Sequence, residues 1–455
     1  MHGRSGRVLV VGDNDLAGLA SVRSLGRAGL RVSLVSFEDC PAARWSRHVS
    51  RVHRLGHPLR DAGFADRVLD LLRREPFDVV LPTSDKGLLP LLPVRREIDA
   101  LSRLAAPEDA ALDAACRKEE TVALAQRLGV PVPPTELVTG EGWTPSSFPV
   151  VLKPSRSVVP GSTKRNEVAI ARTAEEVRRH LPALLRAGPV LAQGFVGGRG
   201  VGLNVLADRG EIVAAFQHRR LHEPADGGAS SYRASEPLSP ALLGHARKLM
   251  AALRWTGPAM LEFKDDPDNG PSLMEINGRL WGSVALAIAA GVDFPRLCYD
   301  LFVTGRAGPC FGYRAPFHLR HTTKDLFWLR QNFRPGPGAL RLSAGQLLGE
   351  AWNVLRGREG YDLEWLTDPL PAVAAWGHLL SRAAASAWGR FRRWRLGRRL
   401  ARNDACSLIR HARSALVVCT GNVNRSAVAA CLLADAFPAL AVASAGTLGR
   451  DEVSS

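Results

Sequence analysis

Apolar residues follow two different rhythms along this chain, and the changes of rhythm mark its parts. Residues 7–12, Arg-Val-Leu-Val-Val-Gly, form the short unbroken apolar run of a buried strand, and Leu16, Leu19, Ala20, Val22 and Leu25 follow at helical spacing. Two further apolar runs, Leu30 to Val35 and Phe77 to Leu81, extend this into a β-α-β pattern, which predicts a small doubly wound domain over residues 1–108. Its first turn, Gly12-Asp13-Asn14-Asp15 with Gly18, lacks the G-x-G-x-x-G spacing, so a dinucleotide site has no support.

The style then changes. A helix is predicted from Ala110 to Leu128, carrying Lys118 and ended by Gly129. Phe148 to Pro154 reads as a strand with Lys153 near its end. A polar stretch containing Ser155, Gly161 and Ser162 follows, and then a returning strand, Glu167 to Ile170. Strand, Ser/Gly loop and strand predict a lid whose peptide N–H groups face phosphates. Pro189 to Val196 is another strand, and Val201–Leu206 and Glu211–His218 form an antiparallel pair around Asp208-Arg-Gly210. The polar stretch Arg219–Ser231 is a candidate substrate loop, and a helix from Pro240 to Leu253 follows it.

Two apolar runs, Ala259-Met-Leu-Glu-Phe-Lys264 and Ser272-Leu-Met-Glu-Ile-Asn-Gly-Arg279, are split by the turn-forming residues 265–271. That predicts a hairpin. Alternation puts Glu275 and Asn277 on one face, and the turn brings Glu262 beside them. Three oxygen ligands suit Mg2+, and Arg279 adds a fixed cation for an anionic group in transfer. The competing reading is an edge hairpin with solvated carboxylates.

Length and composition narrow the class. At 455 residues the chain is too long for one core, and a mix of 46% hydrophobic and 23% charged residues predicts globular domains rather than disorder. Seven cysteines, widely spread, without a C-x-x-C pair and without a secretory leader, predict a reducing, cytoplasmic setting. The net charge of +16 is partly local, since seven of the thirteen residues from Arg390 to Arg402 are arginine. Nucleic acid is therefore not an expected partner of the whole protein.

Taken in order, Lys118, Lys153 with its Ser/Gly loop, the Gln193 to Val196 stretch, His218 ahead of Gly227-Gly-Ala-Ser, Glu262, and Glu275-Ile-Asn-Gly-Arg279 resemble the ATP-grasp superfamily. The likeness is to its carboxylate-amine ligases and the carbamoyl phosphate synthetase large-chain type. It implies a Rossmann-like pre-ATP-grasp domain followed by a two-lobed ATP-grasp domain over 109–305. It implies an ADP-forming ligase acting on small-molecule carboxylate and amine substrates, with ATP and two Mg2+ ions, Mn2+ being a substitute. By the resemblance Lys118, Lys153, Ser155, Gly161 and Ser162 hold the nucleotide phosphates. Backbone groups around Gln193, Gly194 and Val196 read the adenine, with Phe195 packed nearby. Glu262, Glu275 and Asn277 hold the metal ions, Arg279 steadies an acyl phosphate, and His218 stands near the phosphate in transfer. The chain departs from the pattern at the acid that grips the ribose, for which Asp208 or Glu211 are the candidates.

After residue 305 the alternation fades into Trp- and Arg-rich segments, Asp325 to Phe333, Ala344 to Leu355 and Ala372 to Arg402, expected as a basic helical linker over 306–412. Its last helix carries an apolar stripe and then the arginines. One reading is a peripheral contact with the inner membrane face through Arg390–Arg402, and the other is a packed linker with solvated charges. Residues 413–455 contain Val-Val-Cys-Thr-Gly-Asn-Val-Asn-Arg-Ser, a strand running into C-x5-R. This resembles the low molecular weight protein tyrosine phosphatases. The resemblance makes Cys419 a nucleophile with a lowered pKa and Arg425 a phosphate clamp, with Asn422 and Ser426 in support. The family's later strands and its Asp-Pro acid have no counterpart, so a truncated α/β segment is expected.

Overall fold

The first apolar runs become a parallel sheet. In a computed structural model of the chain, β1 (Arg7–Val11), β2 (Arg31–Val35), β3 (Val49–His53) and β4 (Val79–Pro82) are ordered β3-β2-β1-β4, all parallel. The structure describes residues 6–14, 16–38, 41–155, 168–186, 188–223, 230–332, 343–402, 414–419, 425–436, 438 and 441–446. They fall into two compact units, residues 1–378 and 379–455.

Within the first unit, β5 (Thr135–Val138), β6 (Val150–Pro154), β7 (Ala169–Ala171) and β8 (Val190–Gly194) form an antiparallel sheet ordered β5-β8-β6-β7. The helix Ala174–Leu185 covers it through Val177, Leu181 and Leu184, giving this lobe a core of its own. The larger lobe is built on β9 (Arg199–Asp208), β10 (Glu211–His222), β11 (Tyr232–Glu236), β12 (Gly257–Asp266), β13 (Gly270–Asn277), β14 (His318–Arg320) and β15 (Glu359–Tyr361). Their order is β13-β12-β9-β10-β11-β14-β15. Alternation along β9 drives the layering. Val201, Leu203, Val205 and Ala207 share one core with Ala246, Leu249 and Met250 of the helix Pro240–Ala252, while Leu206 belongs to the core on the opposite face.

Three expectations change here. The helix predicted over 110–128 is two helices, Asp109–Cys116 and Lys118–Arg127, because Arg117 turns extended (φ −91°, ψ 103°). Lys118 thereby starts a helix, and its N–H donates to the Ser155 carbonyl (3.2 Å) rather than continuing a helical ladder. The polar stretch taken as a loop from Arg219 is strand as far as His222. Residues 306–378 are more than a helical linker: β14 pairs with β11, β15 pairs with β14, and both extend the large sheet.

Buried charge fixes that extension. Arg233 on β11 donates to both carboxylate oxygens of Asp362 at 2.6 Å, and Arg23 donates through Nε to Asp368 at 2.8 Å. His222 lies between two acids, its Nδ1 2.7 Å from Asp325 and its Nε2 2.9 Å from Glu350, with its ring stacked on Trp328 (centroids 3.6 Å apart). Burial opposes charge on His222, but hydrogen bonds to Asp325 and Glu350 overcome it and raise the pKa above the ordinary imidazole value. A raised native pKa stabilises the fold fully below the unfolded value of about 6.5, and the contribution is lost as pH rises through the native pKa. Urea midpoints measured at increasing pH above about 6.5 should therefore fall more steeply in the wild type than in His222→Gln. Parallel curves would show that His222 carries no such linkage.

In the second unit, β16 (Ser414–Cys419) and β17 (Ala441–Gly446) pair in parallel, and the helix Arg425–Ala436 contacts both strands. The strand therefore precedes the helix in the chain. Residues 420–424, including Asn422, lie outside the described residues, as do the side chains of Cys419, Arg425 and Ser426.

Candidate active site

The hairpin β12–β13 places Glu262 directly opposite Glu275, and Asn277 two residues on, facing the same side. The Asn277 side-chain N–H2 donates to Glu262 Oε1 (3.2 Å) and to Glu275 Oε1 (3.0 Å), and its Oδ1 accepts from Arg279 (3.1 Å). Arg279 is also held by Asp85 (3.1 Å) and the Leu280 carbonyl (3.2 Å). Asp85 lies in the amino-terminal domain, in the helical turn Asp85–Leu88 just after β4. Burial opposes the Arg279 charge, but Asp85, Glu275 and Glu262 outweigh it and raise its pKa.

Two buried lysines meet this cluster from different elements. Lys118 Nζ donates to the Pro154 carbonyl (3.2 Å), and Lys153 on β6 reaches the Met274 carbonyl (3.4 Å), next to Glu275. Burial, reinforced by Lys118, lowers the Lys153 pKa to about 8, with Glu275 and Glu262 partly offsetting it. The two carboxylates respond in opposite directions. Burial raises Glu262, with Arg220 opposing, whereas Lys118, the Asn277 hydrogen bond and Lys153 overcome burial at Glu275 and lower it. Because only protonated Lys153 attracts phosphate, nucleotide affinity should weaken as pH rises above about 8, by up to tenfold per unit. Isothermal titration with ATP across this range checks it, and Lys153→Arg should flatten the slope. An unchanged slope in that variant would assign the dependence to another group.

A cavity of about 270 Å3 opens beside the cluster. Its walls include Glu262, Glu275 and Arg279, the strand residues His218 and Arg220, Arg233 and Ser283, and Asn14, Thr83 and Ser84 from the amino-terminal domain. Asn14 follows β1 and Thr83 and Ser84 follow β4, at the carboxyl end of the parallel strands, where open α/β sheets place ligands. Arg220 binds Glu262 (2.7 Å) and Glu223 (3.3 Å).

His218 is fully buried and neutral. Burial, joined by the fields of Arg220 and Arg233, pushes its pKa well below the usual value. Its tautomer follows from its neighbours. Asn204 Nδ2 donates to the Phe216 carbonyl (3.2 Å) and faces His218 Nδ1 at 2.9 Å, so Nδ1 accepts and Nε2 carries the proton. Nε2 then donates to Ser283 Oγ (3.1 Å), which directs the serine's own proton elsewhere, and Ser283 lines the cavity. Gly202 makes room for the ring: a Cβ there would lie 2.2 Å from His218 Cε1. The Nε2 proton of His218 is therefore engaged by Ser283.

Other expected residues separate into those engaged and those displaced. Ser155 Oγ donates to Glu119 (2.6 Å) and its N–H to the Pro189 carbonyl (3.0 Å), so both groups are engaged within the fold at the end of β6. Gly161 and Ser162 lie outside the described residues. In the hinge, Gln193 is buried and donates to Thr135 (2.9 Å), Gly194 N–H to the Pro134 carbonyl (2.8 Å), and Phe195 N–H to the Pro149 carbonyl (3.2 Å). Those two N–H groups are thus engaged within the fold, while among the described residues the Val196 N–H makes no such backbone bond. Phe195 is half exposed (46%). Asp208 and Glu211 are displaced altogether. They pair at the far end of β9, about 30 Å of strand from the hinge, whereas Asp265 pairs with Arg199 at the hinge end.

The fold can now be compared with known ones. Residues 187–323 match the family described as ATP-grasp in the biosynthetic pathway with Ter operon. Among solved structures, an L-amino acid ligase from Bacillus licheniformis is similar, at 19% identity over 66% of this chain and 75% of that one, with a TM-score of 0.52. The chain has an ATP-grasp fold. The N5-carboxyaminoimidazole synthetase from Staphylococcus aureus is similar at 14% identity over 72% of this chain and 86% of that one, with a TM-score of 0.56. The biotin carboxylase domain of 2-oxoglutarate carboxylase from Hydrogenobacter thermophilus, solved with MgADP, ADP and bicarbonate, matches at 17% identity over 67% of this chain and 71% of that one, with a TM-score of 0.53. No curated protein matches the chain in sequence.

The Glu262–Glu275–Asn277 cluster fits an oxygen-preferring divalent ion. Among the described residues no group of three or more His, Cys, Asp or Glu side chains forms a closed metal site. Two carboxylates and one amide suit an ion that takes its other ligands from water and phosphate, as Mg2+ does. Asn277 must turn its amide to offer Oδ1, since its nitrogen now faces the acids. Arg220, Arg233, Ser283 and Asp85 were not singled out from the sequence. Arg220 had a readable signal, because it stands two residues after His218 and so shares a strand face with it.

Proposed function

We propose that this chain is an ATP-dependent, ADP-forming ligase that activates a small carboxylate as an acyl phosphate for attack by an amine. One observation carries the reading: Lys118 and Lys153 come, from different elements, beside the half-buried Glu262–Glu275–Asn277 cluster at a cavity lined by three arginines. Mg2+ held by Glu262, Glu275 and Asn277 would neutralise and orient the phosphates. The rest is positioning by the chain. Lys118 and Lys153 neutralise the transferred group, and Arg279, fixed by Asp85, faces the charge that develops on it. Arg220 and Arg233 line the cavity where an anionic acid would lie, and the Ser283 hydroxyl offers a fixed donor to one of its oxygens. A cavity of about 270 Å3 is at the small end for ligand pockets, which favours a compact acid.

The test is ADP release from MgATP across a matrix of small carboxylic acids and amines. Release that requires one acid and one amine together supports the ligase. Release that needs neither, or that is the same whichever pair is present, removes it. A strand ending at Cys419 and a helix starting at Arg425 support a second reading, a phosphocysteine-forming segment using Cys419 and Arg425. Its measure is aryl-phosphate hydrolysis, or a stoichiometric burst, that disappears in Cys419→Ser.

A further inference from the structure

The helix Leu370–Arg402 holds eight arginines and no acidic residue in its 33 positions. Its early turns, through Ala372 and Ala375, belong to the first unit's core, and Leu380, Trp388, Phe391 and Trp394 further along are exposed. Leu380, Ala384, Ala387, Trp388, Phe391 and Trp394 recur at three- and four-residue steps and so lie along one side of the helix. Leu380 is 64% exposed, Trp388 61% and Trp394 53%. The rings form a continuous strip, with Trp388 and Phe391 centred 5.7 Å apart and Phe391 and Trp394 5.8 Å apart. Arg382, Arg390, Arg392 and Arg393 fall on the other sides of the same turns.

We infer that residues 380–395 form a membrane-surface site that lies on anionic lipid, with Trp388, Phe391 and Trp394 in the interface and the arginines on the headgroups. Charge selects the occupant. A second copy would bring together two helices that each carry eight arginines and no acid to pair with them, so self-association is disfavoured by like charge. A nucleic acid would use the arginines and could stack on the rings, but Leu380 and Ala384 continue the strip as aliphatic surface, from which bases gain little. An acyl-headgroup boundary uses both parts: apolar side chains enter it, indole rings prefer its level, and arginines meet its negative charge. Among the described residues no helix is long and apolar enough to cross a membrane, in keeping with a helix that lies on the surface.

The experiment is co-sedimentation of the full chain with vesicles of equal parts phosphatidylcholine and phosphatidylglycerol, against vesicles of phosphatidylcholine alone. The full chain should bind the anionic vesicles, bind the neutral ones at least about tenfold less well, and lose binding as salt is raised. A triple variant, Trp388→Ser, Phe391→Ser and Trp394→Ser, should lose about tenfold or more, and so should Arg392→Gln with Arg393→Gln. Circular dichroism and the thermal midpoint of each variant confirm that the helix persists. No binding to anionic vesicles, or binding unchanged in both variants, overturns the inference. So does a dimer that the triple variant abolishes, which would assign the strip to a second copy. A duplex or single-stranded oligonucleotide bound more tightly than the anionic vesicles, through the same residues, would overturn it in favour of nucleic acid.

Discussion

Replacing Glu275 by Gln is expected to lower ADP release by roughly 10²–10³-fold while leaving the fold intact. The amide keeps the shape of the side chain and removes only its charge. Of the two carboxylates, Glu275 is the one that its surroundings hold ionised: Lys118, Lys153 and the Asn277 amide all favour the anion against burial. On the proposed function, losing it removes a metal ligand and the stronger of the two acids that act on Lys153, so nucleotide phosphate is drawn in without being correctly held. Nucleotide binding measured by titration should therefore change far less than turnover. Equal losses in both would point to a collapsed site, and ADP release at the wild-type rate would remove Glu275 from the reaction.

The largest expected loss of stability comes from Asp368→Ala, about 3–5 kcal/mol. Asp368 and Arg23 are each only 1% exposed, and the acid also accepts from Ser46 Oγ (2.7 Å) and the Arg47 N–H (2.9 Å). Alanine would leave the Arg23 guanidinium buried without its countercharge, retaining only the carbonyls of Asp362, Leu363 and residue 368. A double change, Arg23→Leu with Asp368→Leu, removes both charges and should recover much of the loss. Urea unfolding decides the matter. A single-variant loss under about 1 kcal/mol would place the pair among those that contribute little.

The hairpin was legible because its signals are local: seven turn-forming residues between apolar runs, and alternation that fixes which side chains share a face. The same logic fails two strands away. β10 runs to His222, yet its last residues read as a loop, because their side chains are charged and find Glu262, Asp325 and Glu350 as partners from distant elements, with Glu223 just beyond the strand. A strand that buries ion pairs has no apolar rhythm to read. β14 and β15, at three residues each, are too short to show one. The bend at Arg117 depends on a bond between Lys118 and Ser155, 37 residues apart in sequence, and nothing nearby announces it. Asp208 and Glu211 looked close to the hinge because sequence distance ignores direction. A ten-residue strand carries them to the other end of the sheet.

Arg279 leans on Asp85, and that contact joins the hairpin to a domain that, among the described residues, gives this arginine no other hydrogen bond. A shortened protein beginning at residue 109 would keep every lysine and carboxylate of the site and still have its arginine free to swing toward Glu275. The amino-terminal domain is in this sense a working part rather than an attachment. A chimera that exchanges it for the matching domain of another ATP-grasp protein must bring an acid to the turn after the fourth strand, or supply one in compensation.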